Sequence, residues 1–221
     1  MSTALSRYQV VIFDWDGTLM DSAGHIVKAV QAAAADCQLP VPEAAVVRQG
    51  IGSSFDAQYQ RLFVLGTDLD DIARHDTVYQ AFRQAFYRHY DGDTPPLYPA
   101  VILLLQQLQQ QGKVLAIATS GSRSMLSAML THYHLHDLFS HTYCGDEITA
   151  KPAPDMLEAI VRDSGVGNSE VVMIGDSVYD IYAANNAGIA SIGIATGVSS
   201  HEALQEAGAI LVLDTIDPLV N

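Results

Sequence analysis

The stretch FDWDGTLMDS (13–22) decides the fold, because its polar residues directly follow a run with the character of a buried strand. That run, YQVVIF (8–13), is short, apolar and rich in β-branched residues, which is typical of a strand covered on both faces of a sheet. Similar runs recur at 114–119, 171–175, 191–196 and 209–213. Helix-like segments alternate with them, and this order predicts βαβ units and a mainly parallel sheet.

Helices are predicted between these strands over 101–112, 152–165 and 178–188, each of which ends at a glycine. Strands alternating with helices on both sides of a parallel sheet favour a doubly wound, Rossmann-like α/β core.

Residues 21–93 interrupt the alternation of strands and helices. They contain amphipathic helical stretches at 25–37 and 71–90 and no convincing strand. We therefore predict an α-helical cap at 21–93, inserted into a core formed by residues 1–20 and 94–221. The segment DGDTPP (91–96) is the predicted return linker, since Gly and Pro interrupt regular structure there.

Composition and charge limit the partners of the chain. Of its 221 residues 49% are hydrophobic and 16% charged, which is enough apolar material for a buried core. The formal net charge of -14 repels nucleic acid and anionic membranes, so neither is an expected partner. An anionic substrate would need a metal ion, basic side chains or backbone N–H groups at its site.

The expected compartment is the cytoplasm. Met1–Gln9 has no apolar signal region, and no stretch reaches the roughly 18 apolar residues of a membrane span. Cys37 and Cys144 match neither a disulfide framework nor a metal-binding spacing, and they are predicted to be reduced thiols. A monomer or a homodimer is expected.

Four polar clusters each follow a predicted strand. They are Asp14-Trp15-Asp16-Gly17-Thr18, Thr119-Ser120-Gly121, Lys151 after the short segment YCG, and Gly175-Asp176-Ser177 with Asp180 beyond it. Because the carboxyl ends of parallel strands share one edge of a sheet, we expect these residues to converge on a single site.

The carboxylates of this predicted site call for a cation. Asp14, Asp16, Asp176 and Asp180 would lie within a few ångströms of one another. Two like charges about 4 Å apart repel by about 4 kcal/mol at an effective dielectric of about 20. Hard oxygen ligands without His or Cys favour Mg²⁺, which is the predicted cofactor.

The basic and hydroxyl groups of the site suit phosphate oxygens. Lys151, the hydroxyl of Thr119 or Ser120 and the backbone N–H groups near Gly121 supply positive potential. A metal ion and cationic donors beside a carboxylate describe a phosphoryl-transfer site, where positioning and charge stabilisation provide most of the catalysis. The predicted ligand is a small phosphorylated metabolite.

These four clusters resemble the motifs of the haloacid dehalogenase superfamily of phosphatases. FDWDGTLMDS (13–22) is similar to the first motif, ATSG (118–121) to the second, Lys151-Pro152-x-Pro154 to the third and GDSVYD (175–180) to the fourth. They occur in order, and the helical insertion after the first motif is similar to the cap of the phosphoglycolate phosphatase-like branch.

The resemblance implies roles for the residues that carry it. Asp14 would be the nucleophile and Asp16 the general acid and base. Asp14, the backbone carbonyl of Asp16 and Asp176 would hold Mg²⁺, with Asp180 in support. Thr119, Ser120, Gly121 and Lys151 would bind the phosphoryl group, and Lys151 would also restrain the charge of Asp14.

The sequence departs from the family pattern at two places. Ser120 stands where many relatives carry Asn, and Trp15 replaces the commoner aliphatic residue. The second Asp of the first motif, which dehalogenases lack, argues against halide chemistry. Two alternatives to a phosphatase are a phosphomutase of the β-phosphoglucomutase type and a catalytically silent binding protein on the same fold.

Several motifs also have simpler interpretations. Asp16-Gly17 alone could be a hairpin turn, and Thr119 or Ser120 could cap the next helix. The histidines His132, His134, His136 and His141 are interpreted as an exposed loop. Tyr79, Phe82, Phe86 and Tyr90 recur at helical spacing and are interpreted as the core of the cap. The segment Gln49–Ser53 is either a helix-to-helix turn or a cap loop that contacts the substrate.

Overall fold

A computed structural model describes residues 3–64, 72–91 and 94–220 of the chain. Within these residues one parallel sheet is formed by β1 (Val10–Phe13), β2 (Val114–Thr119), β3 (His141–Cys144), β4 (Val171–Gly175), β5 (Ala190–Ile194) and β6 (Leu211–Leu213). The strand order is β3-β2-β1-β4-β5-β6, and every neighbouring pair is parallel. The predicted doubly wound α/β fold is confirmed.

The described helices flank this sheet or form the insertion after β1. In chain order they are α1 (Ala23–Asp36), α2 (Ala44–Arg48), α3 (Phe55–Tyr59), α4 (Ile72–Tyr90), α5 (Val101–Gln110), α6 (Arg123–His132), α7 (Asp155–Ser164), α8 (Val178–Ala187) and α9 (His201–Glu206). A π-helical turn, Gln60–Val64, continues α3. Gly165 and Gly188 end α7 and α8 in the left-handed conformation, as helix C-caps commonly do.

The side chains of β1 alternate between two apolar layers. Val11 and Phe13 pack into the layer that includes α5, and Val10 and Ile12 pack into the layer that includes α7 and α8. All four residues have no exposed surface. Burial of each such side chain contributes about 1.5–3 kcal/mol, which explains why this strand carries no polar residue before Asp14.

The last strand is shorter than the sequence indicates. The apolar run 209–213 predicts five strand residues, whereas β6 begins at Leu211. β6 is an edge strand paired with β5 alone, and Ile210 before it is 57% exposed. An apolar run therefore overstates the length of a strand that is covered on one side only.

The insertion between β1 and α5 has an apolar cluster of its own. Alanines of α1, among them Ala33 and Ala34, lie against Phe82 and Phe86 of α4. Small side chains on one helix allow the aromatic helix to approach closely. We call the described residues 23–64 and 72–91 the helical cap. The boundaries at 20/21 and 93/94 stay predictions, and residues 71, 92 and 93 lie outside the described residues.

None of the helices in the described part of the chain is long and apolar enough to cross a membrane.

Candidate active site

The site lies where β1 and β4 run side by side, the point at which the chain order of the sheet reverses. Ligands of open α/β sheets bind outside the carboxyl ends of the strands at such a point. Asp14 directly follows β1, and its N–H donates to the carbonyl of Ile174 in β4 at 2.9 Å. Asp176 directly follows β4, so the two carboxylates are brought to the same edge, as predicted from sequence.

Lys151 is the buried cation of the site. Its Nζ donates to Oδ1 of Asp14 at 2.7 Å, to Oδ1 of Asp180 at 2.6 Å and to the carbonyl of Ala118 at 3.0 Å. An ammonium group has three N–H donors, so this one is fully used. Burial lowers the pKa of Lys151, but the charges of Asp14 and Asp180 outweigh burial and raise it. The charged form of Lys151 is therefore favoured at neutral pH.

Asp180 is shared between the lysine and a helix cap. Its Oδ2 accepts hydrogen bonds from the backbone N–H of Ser177 at 3.0 Å and from the Ser177 hydroxyl at 2.7 Å. The Asp180 N–H in turn donates to Ser177 Oγ at 3.4 Å, and together with the Ser177 N–H bond it forms a capping box at the start of α8. Because Oδ1 binds Lys151, both oxygens are already engaged. This geometry favours a supporting role over direct metal contact.

Three carboxylates could hold a metal ion together. One oxygen of each of Asp14, Asp176 and Asp180 lies within 4.8 Å of the others, and all three residues are buried. Asp16, the fourth predicted carboxylate, is not part of this group. Its predicted metal contact runs through its backbone carbonyl, as the resemblance implies, and stays a prediction.

Burial and mutual repulsion both disfavour the ionised carboxylates of this group. Burial raises the pKa of Asp14 well above its usual range, the charge of Asp180 raises it further, and Lys151 lowers it only in part. Burial and the charge of Asp180 raise the pKa of Asp176 to about 7. Three carboxylates face one ammonium group, which leaves the equivalent of one divalent cation to be supplied. The oxygen-only donor set fits Mg²⁺.

The Asp176 carboxylate is held in one position by close contacts. It accepts from the Thr18 hydroxyl at 2.9 Å and from the Val198 N–H at 3.0 Å. Gly17, at φ +81°, and Gly197 lie against it: a Cβ atom would fall 2.4 Å from Oδ2 at Gly17 and 1.8 Å at Gly197. Only glycine fits at these two positions.

A cavity of about 70 Å³ opens between the core and the helical cap. On the core side its walls include Asp14, Asp16, Thr119 and Gly121, and on the cap side they include Ile51, Gly52, Ser53, Phe55 and Tyr87. The segment Gln49–Ser53 thus contributes three residues to the cavity wall. Lys151 is not among the lining residues, since it is buried behind Asp14.

The two hydroxyl groups of the loop after β2 have different hydrogen-bond partners. Thr119 Oγ1 accepts from the N–H of Gly121 at 3.1 Å, whereas Ser120 Oγ donates to the Gly52 carbonyl of the cap at 2.7 Å. The helix cap of α6 is Ser122, whose hydroxyl accepts from the N–H of Met125 at 3.4 Å. The alternative that Thr119 or Ser120 caps this helix is wrong, because both hydroxyls are engaged elsewhere.

Asp16 points toward the cap and contacts a residue whose role the sequence did not indicate. The Tyr90 hydroxyl, at the end of α4, donates to Oδ1 of Asp16 at 3.4 Å. Burial raises the pKa of Asp16, and the hydroxyls of Ser22 and Tyr90 and the charge of Lys151 lower it in part. The helical spacing of Tyr90 with Phe82 and Phe86 predicted burial correctly, but it gave no direction for the hydroxyl.

Two of the simpler interpretations can now be decided. The hairpin turn at Asp16-Gly17 is wrong, since β1 pairs in parallel with both of its neighbours. The metal cluster found in the described residues contains no histidine. The exposed-loop interpretation of the histidines is wrong in part, because His132 is the last residue of α6 and His141 is the first residue of β3. His136 Nε2 pairs with Thr131 Oγ1 at 2.9 Å on an exposed surface.

Comparison with known proteins identifies the family of this arrangement. Residues 11–194 match the model of the haloacid dehalogenase-like hydrolases, a stretch that contains every predicted site residue. The chain belongs to this family. The predicted membership of the haloacid dehalogenase superfamily is thereby confirmed, and so is the assignment of the chain as a hydrolase.

Members of the haloacid dehalogenase-like family resemble this chain over nearly its full length. A probable phosphatase, IndB, of Dickeya dadantii is 29% identical over 96% of this chain and 92% of its own. A phosphoglycolate phosphatase of Vibrio cholerae is 30% identical over 98% of this chain and 97% of its own. A solved structure from Haemophilus somnus, described as a predicted phosphoglycolate phosphatase, has a TM-score of 0.82, 25% identity and 96% coverage of both chains.

Proposed function

We propose that the chain is a Mg²⁺-dependent phosphatase that hydrolyses a small phosphate monoester through an aspartyl-phosphate on Asp14. The observation that carries this proposal is the buried group of Asp14, Asp176 and Asp180 around Lys151, open on one side to a cavity that Asp16 also lines. The phosphatase relatives support it.

In the first step the Asp14 carboxylate attacks phosphorus. The bond between phosphorus and the ester oxygen breaks while Asp16 gives its proton to that oxygen, and the alcohol leaves. The raised pKa of Asp16, which is caused by burial, favours the protonated form that this step needs. Lys151 remains bound to Asp14 Oδ1 and holds the carboxylate in place.

In the second step Asp16, now ionised, takes a proton from water. The water oxygen attacks phosphorus, the bond to Asp14 breaks, and inorganic phosphate is released with Asp14 restored. Dividing a slow hydrolysis into two displacements is the advantage of a covalent intermediate. Thr119 and Gly121, which line the cavity beside Asp14, are the proposed contacts of the phosphoryl oxygens.

Asp14, the Asp16 carbonyl and Asp176 would hold the metal ion, with Asp180 in support. When bound, Mg²⁺ would supply positive charge for the phosphoryl oxygens and would offset the burial and the Asp180 charge that raise the pKa values of Asp14 and Asp176.

The proposed substrate is a small phosphorylated metabolite of the phosphoglycolate or sugar phosphate kind. The cap wall of the cavity, with Ile51 and Phe55, is largely apolar. The cytoplasm stays the proposed compartment, because Cys37 and Cys144 are free. Nucleic acid stays excluded from the proposed partners by the charge of -14.

The test is phosphate release from a panel of metabolite phosphates with and without added Mg²⁺. We expect Mg²⁺-dependent release that is absent from an Asp14→Asn variant purified in parallel. Acid-stable labelling of the wild type, but not of the variant, by a radioactive substrate would report the aspartyl-phosphate. Isomerised sugar phosphate without net phosphate release would instead support the phosphomutase, and binding without turnover the silent protein.

A further inference from the structure

We propose that Tyr90 is a positioning residue for Asp16, through which the helical cap orients the proton donor of the reaction. The inference rests on the proposed function of Asp16 as general acid. It is based on the hydrogen bond from the Tyr90 hydroxyl to Asp16 Oδ1, which joins the last residue of α4 to the loop after β1.

The ring of Tyr90 is fixed before its hydroxyl meets Asp16. Tyr90 is 3% exposed and belongs to the apolar cluster of the cap. Its ring stacks on Phe86 with the centroids 5.8 Å apart and the ring planes inclined by 29°. A packed ring delivers its hydroxyl to one place, so the position of the hydrogen bond depends on the position of α4.

The hydrogen bond gives the two carboxyl oxygens of Asp16 different partners. The hydroxyl donates to Oδ1, which restricts rotation of the carboxyl group about its last bond and favours presenting Oδ2 to the substrate. At 3.4 Å the bond is long, so a shift of α4 of a few tenths of an ångström toward Asp16 would strengthen it and a shift away would break it. Small movements of the cap would therefore change the orientation of Asp16.

Space around the pair is limited. A second cavity of about 10 Å³ is lined by Trp15, Asp16, Tyr90, Ser122 and Met125. That is about the room of a single water molecule. Removal of the Tyr90 hydroxyl would leave Asp16 with a small gap beside it, in which it has no fixed partner from the cap.

The test compares two leaving groups in wild type and Tyr90→Phe, which keeps the ring and removes only the hydroxyl. The probes are p-nitrophenyl phosphate, whose leaving group needs no proton, and 2-phosphoglycolate or whichever alkyl phosphate the panel shows to be turned over fastest. Because kcat/KM covers the steps up to alcohol release, we expect it to fall about tenfold for the alkyl phosphate and less than about twofold for the aryl phosphate.

Two controls separate positioning from packing. Tyr143→Phe removes another tyrosine hydroxyl that donates to a carboxylate, that of Asp163, on an exposed surface, and it should change neither value. In an Asp16→Ala background, Tyr90→Phe should have no further effect on the alkyl phosphate, since a positioning residue acts only through its partner.

Equal losses on both substrates, or an undiminished loss in the Asp16→Ala background, would show that Tyr90 only supports the packing of the cap and would overturn the inference. A wild type that releases phosphate from neither probe would contradict the proposed function itself, which is a different result.

Discussion

The two walls of the cavity are built from different interactions. On the core side Asp14, Lys151, Asp180 and Ser177 are joined by buried hydrogen bonds of 2.6–3.0 Å. On the cap side aromatic packing dominates. Two hydrogen bonds cross the gap, one from Tyr90 of the cap to Asp16 and one from Ser120 of the core to the Gly52 carbonyl. The core wall is a charged network fixed on folding, and the cap wall is an apolar surface.

This difference suits the core wall to the chemical step and the cap wall to the entry of substrate. Buried charges cost several kcal/mol to desolvate, so loss of the one cation that compensates them is strongly destabilising. Apolar contacts and single hydrogen bonds between cap and core can be broken and remade at little cost, as opening of a cap to admit substrate requires. The predictions below test whether the two walls separate in this way.

The largest expected effect comes from the nucleophile. Asp14→Asn should lower kcat by at least about 10⁴-fold, the scale of loss when a covalent nucleophile is removed. Because burial and Asp180 disfavour the ionised form of Asp14, the neutral amide should not lower stability in metal-free buffer. Activity assays and urea unfolding measure both. Residual turnover near the wild-type value would exclude Asp14 as the nucleophile.

Removal of the buried cation should affect stability as well as activity. Lys151→Met leaves Asp14 and Asp180 without a counter-charge, and we expect the free energy of unfolding to fall by about 3–5 kcal/mol. The matched control is Lys113→Met, because Lys113 donates to the carbonyls of Leu5 and Tyr8; its loss should be about 1 kcal/mol. If urea unfolding gave equal losses for the two variants, the core network would not be the charge-dependent structure described above.

The Asp176 carboxylate should make metal-free protein less stable as the pH rises. Its pKa of about 7 in the folded chain lies above the roughly 3.9 of an unfolded Asp. Between about pH 4 and 7 the folded state therefore holds more protons, and the free energy of unfolding falls as protons are lost. Thermal unfolding across this range should show stability falling with pH in wild type, and falling less steeply in Asp176→Asn.

Mg²⁺ should remove most of that fall with pH and raise the stability of wild type by about 2.7 kcal/mol at a hundred times its Kd. Asp176→Asn should lose this gain, while Asp137→Asn, a change at an exposed carboxylate, should keep it. Equal stabilisation of all three proteins by Mg²⁺ would place the ion elsewhere.

The smallest expected effect concerns the hydrogen bond that joins cap and core at Ser120. Ser120→Ala removes the contact to Gly52, worth about 0.5–1.5 kcal/mol, and should raise KM about 2–10-fold with little change in kcat. Thr131→Val, which removes a hydroxyl bonded to the Ser127 carbonyl on the surface, is the control. A large drop in kcat would instead support direct contact of Ser120 with the phosphoryl group.

The sheet and its polar edge could be predicted from the sequence for a simple reason. β1 and β4 are covered on both faces, so their residues form unbroken apolar runs that end at Asp14 and Asp176. The end of such a run marks the carboxyl edge, where the site of a parallel sheet lies. The same logic is less accurate at β6, where one side of the strand is unpaired.

Side-chain direction could not be predicted in the same way. Spacing indicates which face of α4 is buried, yet whether the Tyr90 hydroxyl meets another cap residue or Asp16 depends on how the cap sits on the core. Ser120 is similar: its neighbours along the chain suggest a phosphate contact, whereas its partner Gly52 lies 68 positions away in the sequence. Contacts between the two walls can be predicted only when the relative position of the walls is known.

The glycines around Asp176 bear on how this enzyme could be altered. With Gly17 and Gly197 both touching that carboxylate, the core around Asp176 leaves no volume into which a new side chain could grow. Laboratory evolution toward bulkier or differently charged metabolites would therefore have to work through the opposite wall, at Ile51, Phe55 and Tyr87. Libraries confined to those cap positions should yield changed selectivity without sacrificing the reaction itself.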